Sequence, residues 1–366
     1  MNISKNQLFK RQITLSEIGE LGQQKLQNAS VLVVGCGGLG SPIAVCLASS
    51  GIGKIHLIDF DTIAISNLHR QVFYTLDDVG KSKALILAEF IKKRAPYTKV
   101  NFTNSPLTKQ NVFELISDLD IVIDATDSLP TKYLLNDACV LKKKPLVYGS
   151  LYKFDGYVST FNILQKDGSY SSNLRDAFPT IATDVPTCEE AGTLNSIVYM
   201  IAAQQVNEVI KLITKIGEPL INELLLYNTL KNTQFKIKLQ PTFLRNQIET
   251  VFKVETYDDA ACSVQHSDWQ ISSEELQKKL GDPSLELIAV LPNLKLPFHV
   301  HQIIPIQNFK PESIEVDFRK TYVMVCQKGM NSEKATKIVK EKYPDLNVFS
   351  LTGGISGYEN WYFNLR

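Results

Sequence analysis

The sequence predicts an α/β protein: a doubly wound, mostly parallel sheet followed by a smaller C-terminal α/β domain. Three observations point there. Short apolar runs alternate with amphipathic stretches from about residue 30 to residue 160. A glycine-rich turn joins the first run to the first helical stretch, and a shorter set of the same alternation returns after about residue 268. Such alternation builds parallel sheets, because parallel neighbours need a crossover connection that is usually a helix.

Residues 31–35, 55–59, 100–104, 121–126 and 146–150 read as strands. The first, second and fourth read as continuous apolar runs, as expected where helices cover both faces of a sheet. Between them, 41–50 and 81–95 carry apolar residues at helical spacing, with Ser41 placed as an N-cap and Pro42 at the first helical position. A further strand follows at 157–161, then a polar stretch at 165–190 that reads as a long loop. Residues 190–214 are helical, with Leu194, Ile197, Ile201, Val206 and Ile210 forming an apolar side. The segment 224–239 reads as a hairpin, Phe235, Ile237 and Leu239 alternating along it. The pattern loosens across 241–267, an expected linker between a first domain at 1–240 and a second at 268–366. In the second, 272–280 and 331–342 read as helices, and 285–291, 321–325 and 348–351 as strands.

A chain of 366 residues is long enough for two domains and a sizeable core. Lys plus Arg number 39 against 38 acidic residues, so no field favours nucleic acid or an anionic membrane, and neither is expected as a partner. No stretch approaches the roughly 20 apolar residues of a membrane span. The start, MNISKNQLFKRQ, lacks the apolar core of a signal peptide. The six cysteines are scattered without a C-x-x-C pair, which fits a reducing compartment better than a disulfide framework or a zinc knuckle. A cytoplasmic enzyme is the expectation.

VLVVGCGGLG, at 31–40, is a strand running into G-x-G-x-x-G and then a helix. Gly35, Gly37, Gly38 and Gly40 permit a tight turn and let the backbone approach phosphates at the positive end of that helix. About 20 residues on, Asp59 ends the next strand, where a carboxylate accepts ribose hydroxyls. NAD, FAD and ATP proteins share these features. The neighbouring residues lean toward a triphosphate: Asp61 in LIDFD, then SNLHRQ and GKSK. A dinucleotide's pyrophosphate is met mainly by backbone groups, whereas a triphosphate calls for cations to hold it and to stabilise departing pyrophosphate. Arg70 and Lys83 suit that task, with Asn67 as a polar positioner. Asp124 and Asp127 fall at the ligand edge of such a sheet, Asp127 as a candidate for Mg²⁺.

RQITL at 11–15, VGCGGLG, LIDFD, SNLHRQ, DVGKSK, DATD and PTCEEAG occur in the order seen in the MoeB/ThiF family, which this chain resembles over roughly residues 8–240. The family has a Rossmann-like nucleotide-binding domain. The resemblance implies ATP-dependent adenylation of the C-terminal glycine of a ubiquitin-like sulfur carrier of the ThiS or MoaD type, ending in Gly-Gly. Pyrophosphate is released, and the carrier goes on to a thiocarboxylate for thiamine or molybdopterin synthesis. It further implies Asp59 at the ribose, Asn67, Arg70 and Lys83 on the phosphate side, and Asp127 at the metal. Arg11 would reach ATP from the neighbouring subunit, which implies a homodimer. The family commonly has Asn where this chain has Ser128.

Cys188, in PTCEEAG, precedes a predicted helix whose positive end favours a thiolate, with Glu189 and Glu190 acting against it. The resemblance implies attack on the acyl-adenylate or a persulfide linkage there. Many relatives carry two C-x-x-C pairs for zinc; here the first position holds Ser169, Tyr170, Ser171 and Ser172, and 240–247 contains no cysteine, so no structural zinc is expected.

Near the C-terminus, Cys326 ends a strand and enters the loop QKGMNS, and LTGGISGYENW comes after it at 351–361. A loop of backbone N–H groups around sulfur stabilises a thiolate or persulfide. Residues 268–366 resemble a rhodanese-like domain, fed by a persulfide donor such as a cysteine desulfurase. Typical rhodanese loops carry arginines where this chain has Gln327 and Asn331, leaving Lys328 as the cation. Two alternatives remain: an NAD-dependent oxidoreductase, for which Asn67, Arg70 and Lys83 are surplus, and a noncatalytic carrier-binding scaffold.

Overall fold

The computed structural model describes residues 4–181, 192–257, 269–291, 296–327 and 329–363. The chain divides into two compact units, Met1–Tyr257 and Asp258–Arg366. In the first, the described residues build an eight-stranded sheet from β1 (Ser30–Val34), β2 (Lys54–Ile58), β3 (Lys99–Thr103), β4 (Ile121–Asp124), β5 (Leu146–Tyr152), β6 (Asp155–Phe161), β7 (Glu223–Asn228) and β8 (Thr233–Lys238). The spatial order is β3-β2-β1-β4-β5-β6-β7-β8. Pairs from β3 to β5 are parallel, and those from β5 to β8 antiparallel. This is the mostly parallel α/β sheet expected. The chain reverses direction of travel between β1 and β4, and such a switch point, beyond the C-terminal strand ends, is where ligands bind.

Val31 to Val34 of β1 are all buried. Val31 and Val33 face a core with Ile43 and Leu47 of the Gly40–Ser49 helix and Leu87 and Ile91 of the Lys83–Arg94 helix. Leu32 and Val34 face another, with Ile116 of the Val112–Ser117 helix and Leu134 and Leu135 of the Leu129–Lys142 helix. A strand covered on both sides has no polar face to show, hence its continuous apolar run. Each such side chain contributes on the order of 1.5–3 kcal/mol by leaving water.

Several local readings change. The first helix of the sheet begins at Gly40 after Leu39, so Ser41 is not its N-cap; the Ser41 hydroxyl donates to the Gly37 carbonyl at 2.8 Å instead. Pro42 still falls in the first turn, where its missing N–H costs nothing. The helix expected from 190 runs Asn195–Thr214, and 182–191 lie outside the described residues. The long polar loop contains a short helix, Leu174–Ala177, capped by the Asn173 side chain. Within 241–267 stands a further helix, Arg245–Val254, whose Ile248 and Phe252 are buried, Phe252 within the first unit's core.

One buried charge ties distant parts of this unit together. Asp137, fully buried in the Leu129–Lys142 helix, accepts from Arg175 Nε at 2.9 Å and Nη2 at 2.7 Å. The Tyr257 hydroxyl donates to the same carboxylate.

In the second unit, β9 (Gln270–Ile271), β10 (Leu285–Ala289), β11 (Gln302–Ile303), β12 (Thr321–Val325) and β13 (Val348–Leu351) are ordered β11-β10-β12-β13-β9. Their pairings are parallel. Ile288, Met324 and Val348 pack with Val339 of the Met330–Lys342 helix on one side. Leu287, Val323 and Leu351 pack with Leu276 of the Ser273–Lys279 helix and Ile355 of the Gly354–Phe363 helix on the other. The Ser272 hydroxyl accepts from Glu275 N–H, and the Glu275 carboxylate accepts from Ser272 N–H, a reciprocal cap. No helix among the described residues is long and apolar enough to cross a membrane.

Candidate active site

The glycine loop after β1 is closed on one side and open on the other. Gly35 sits at φ +93°, and a Cβ there would meet the Ala125 carbonyl oxygen at 2.6 Å. A Cβ on Gly40 would lie 1.7 Å from the Gly35 carbonyl oxygen, and one on Gly38 2.9 Å from Val198 Cγ1. Gly37 differs: among the described residues its Cβ would meet the Gln71 amide nitrogen at 3.4 Å and no other atom within 4 Å. The loop therefore turns tightly against β4 and presents Gly37 outward. Tyr74 fixes it from below, its hydroxyl donating to the Cys36 carbonyl at 2.7 Å. Gln71 is 2% exposed, and its Oε1 has no hydrogen-bond partner among the described residues. An orphaned buried amide oxygen costs about 1–3 kcal/mol, so a donor on a ligand seated against Gly37 fits this place. Sequence reasoning placed Gln71 within SNLHRQ and gave it no role.

Carboxylates and cations gather beside the loop. Asp59 is buried at the end of β2, its oxygens accepting Cys36 N–H at 2.6 Å and Asp61 N–H at 2.8 Å. Burial pushes its carboxyl above the ordinary aspartate value, while Lys83 pulls the other way. A ribose hydroxyl would share the remaining lone pairs. Lys83, the first residue of its helix, is 6% exposed and reaches Asp61 Oδ2 at 2.8 Å. Burial presses the Lys83 ammonium toward losing its proton, but Asp61, Asp59 and Asp127 outweigh it and raise its pKa above the ordinary lysine value. That coupling brings Asp127 into the field of Lys83. Asp127 itself is exposed and makes no hydrogen bond or ion pair among the described residues. Ser128, next to it, caps the following helix by accepting Thr131 N–H at 3.2 Å.

Asn67 is buried in the turn Ile65–Asn67, its Oδ1 accepting Ala64 N–H at 3.2 Å. Arg70 Nη1 donates to the Ser66 carbonyl at 3.0 Å, and among the described residues the guanidinium has no carboxylate partner. Asp124 departs from its expected place at the ligand edge. It is fully buried, with both oxygens 3.1 Å from Lys132 Nζ. An isolated buried carboxylate is too costly, and Lys132, on the next helix, supplies the counter-charge. Asp124 instead shapes the turn before Asp127 by accepting from Thr126 N–H at 3.1 Å.

Arg11, on the short Lys10–Ile13 helix, is exposed and unpaired among the described residues. Its neighbour Gln12 donates to the Ser50 carbonyl at 3.0 Å, at the end of the Gly40–Ser49 helix that is remote from the glycine loop. Cys188 lies outside the described residues. Near 169–172, which holds no cysteine, the Asp176 carboxylate joins this stretch to 242–243 by accepting Thr242 N–H at 2.8 Å and Phe243 N–H at 2.7 Å.

In the second unit Cys326 directly follows β12 and is 2% exposed. Its sulfur accepts Gly329 N–H at 3.1 Å and Ser332 N–H at 3.3 Å. Gly329 takes φ +96°, a conformation that favours glycine and turns its amide toward the sulfur. Lys328 lies outside the described residues. Gln327 points elsewhere, donating to Ser356 Oγ at 2.9 Å.

A family model described as the ThiF family matches residues 9–246. A protein named sulfur carrier protein adenylyltransferase, from Thermus thermophilus, is 38% identical over 234 residues, 63% of this chain and 86% of that one. A protein named probable adenylyltransferase/sulfurtransferase MoeZ, from Mycobacterium tuberculosis, is 35% identical over 360 residues, covering 95% of this chain and 91% of the relative. Among solved structures, E. coli MccB with ATP aligns at a TM-score of 0.53 and 26% identity, over 60% of this chain and 66% of that chain.

Proposed function

This chain belongs to the ThiF family, and on that premise we propose that it adenylates the C-terminal carboxylate of a ubiquitin-like sulfur-carrier protein. A carboxylate oxygen of the carrier's Gly-Gly tail attacks the α-phosphorus of ATP. A new P–O bond forms, the bond to the β-phosphate oxygen breaks, and pyrophosphate leaves. The observation that carries this reading is a buried ammonium beside an open glycine loop: Lys83 is held charged by Asp61 and Asp59, and the Tyr74 hydroxyl joins its backbone carbonyl to that of Cys36 in the loop. Arg70 shares the charge that builds on the leaving pyrophosphate, and the amide nitrogen of Asn67, without a hydrogen-bond partner among the described residues, orients a phosphate oxygen. Asp59 and Asp61 position the nucleotide end of the site. Asp127 suits the Mg²⁺ that accompanies ATP, since that ion commonly takes one or two carboxylates besides phosphates and water.

The placement of Arg11 supports a homodimer. Gln12 is anchored at the end of a ten-residue helix whose other end forms the glycine loop, a separation of about 15 Å at 1.5 Å per residue. Arg11 thus serves the partner subunit's nucleotide. Residues 268–366 act as a rhodanese-like domain in which Cys326 receives sulfur from a persulfide donor, such as a cysteine desulfurase, in the cytoplasm. Cys188 serves a later step that consumes the acyl-adenylate on the way to a carrier thiocarboxylate for thiamine or molybdopterin synthesis.

Carrier-dependent ATP–pyrophosphate exchange tests the adenylation directly. Exchange is expected with a Gly-Gly-ended carrier and absent when the tail is truncated; reduction of a nicotinamide cofactor in place of exchange would overturn the reading. Mixing Arg11→Ala with Asp127→Ala subunits is expected to restore activity, because each heterodimer then holds one intact site. No complementation despite measured subunit exchange would remove Arg11 from that role.

A further inference from the structure

Cys326 is surrounded by more hydrogen-bond donors than a neutral thiol needs. Besides the two amides, Ser332 Oγ lies 3.3 Å from the sulfur. Ser332 is fully buried, and its hydroxyl donates to the Gly329 carbonyl at 2.9 Å. Behind it Ser350, 2% exposed, donates from Oγ to Ser332 Oγ at 2.9 Å and lies 3.4 Å from the same carbonyl. The arrangement is fixed by the sheet: Ser350 stands on β13, which pairs in parallel with β12. A serine hydroxyl has one proton and two acceptor positions. Ser332 therefore serves either the Gly329 carbonyl or the sulfur, and Ser350 is placed to support either choice.

We propose that Ser332 and Ser350 form a hydroxyl relay that follows the charge on Cys326. With sulfur anionic, as thiolate or persulfide, the Ser332 hydroxyl turns to donate to it and Ser350 donates into Ser332 Oγ. With sulfur neutral, the Ser332 hydroxyl turns back to donate its hydrogen bond to the Gly329 carbonyl. Gln327 is turned to Ser356, so its amide does not compete for the sulfur. Both serines are positioning residues for sulfur transfer at Cys326, and the inference rests on reading the second unit as a sulfurtransferase. In that step the Cys326 thiolate attacks the outer sulfur of a persulfide, R–S–SH. A sulfur–sulfur bond forms at Cys326 as the donor's breaks, the electron pair leaves with R–S⁻, and the transferred sulfur keeps its proton, so no outside oxidant is required.

The test uses the full chain and glutathione persulfide as donor, with peptide mass spectrometry reading sulfur loading and iodoacetamide alkylation at Cys326. Loss of one hydrogen bond to a charged group predicts that Ser332→Ala slows both by about tenfold, with ATP–pyrophosphate exchange unchanged. Ser332→Thr keeps the hydroxyl and restores most of the rate. Ser350→Ala slows them less, and the double alanine variant is no slower than Ser332→Ala, because Ser350 acts through Ser332. Parent-like rates in Ser332→Ala, or additive losses in the double variant, overturn the relay. Should Ser332→Ala melt early, Ser332→Thr and Ser350→Ala decide the matter by the same readouts. A parent chain that takes up no sulfur at Cys326 overturns the sulfurtransferase reading itself.

Discussion

Two loops in this chain occupy matching places, and their surroundings differ. Each follows a central parallel strand and opens a helix: β1 leads into Gly35–Gly40, and β12 leads into Cys326–Gly329. Both offer backbone N–H groups at a helix start, which suits anions in general. Around the first, the fold brings in charge from elsewhere: Lys83 from another helix, Arg70 from a turn, and the carboxylates that hold Lys83 protonated. Around the second, the described residues bring amides and hydroxyls. The backbone cradle is generic, and the imported side chains set how much negative charge it holds. A triphosphate needs cations; a single sulfur anion is met by hydrogen bonds.

Breaking the first cradle has the largest expected effect. Gly40→Ala places a methyl 1.7 Å from the Gly35 carbonyl, so ATP–pyrophosphate exchange is expected to vanish while Cys326 alkylation continues at the parent rate. Loss of alkylation as well would show that the damage is not confined to one loop. Next come the charges. Lys83→Ala is expected to lower exchange by about 10²–10³, the usual loss for one electrostatic group, and to leave sulfur loading intact. Cys326→Ala should do the reverse, abolishing thiocarboxylate formation from a persulfide donor with exchange kept. If either variant impairs both readouts in a folded protein, the division of labour fails. The smallest effect sharpens the contrast in stability. Ser272→Ala removes one half of the reciprocal cap on the Ser273–Lys279 helix and should cost about 1 kcal/mol, visible by calorimetry as a lower transition for the second unit alone.

Much of the sheet was legible because β1 and β4 are buried on both faces and β8 alternates Phe235 and Ile237 with polar residues. The helices at Leu129–Lys142 and Arg245–Val254 were not. In the first, Lys132, Asn136 and Asp137 are buried together with its leucines, so no polar stripe marks a helical period. In the second, only Ile248 and Phe252 are buried, while apolar Leu244 and Val254 stay exposed and blur the pattern. At the site, spacing was enough for the glycine loop, Asp59 and Lys83, which short segments bring together. It could not tell which carboxylate of DATD faces out. That depends on Lys132, whose ammonium buries Asp124 and leaves Asp127 exposed. The Ser350–Ser332 contact was equally hidden, since it exists only through the pairing of β12 with β13.

The buried Asp137 carboxylate also sets an order of events during synthesis. Besides its neighbour Asn136, its donors are Arg175 and Tyr257, 38 and 120 residues downstream. A nascent chain emerges N-terminus first, so the helix that carries Asp137 is complete long before the phenol that finishes its hydrogen bonding. Until then, closing that face over the charge is opposed by incomplete pairing. The ribosome must deliver Tyr257 before the first unit seals. A chain stopped at residue 240 would leave Asp137 to Asn136 and Arg175, without the phenol.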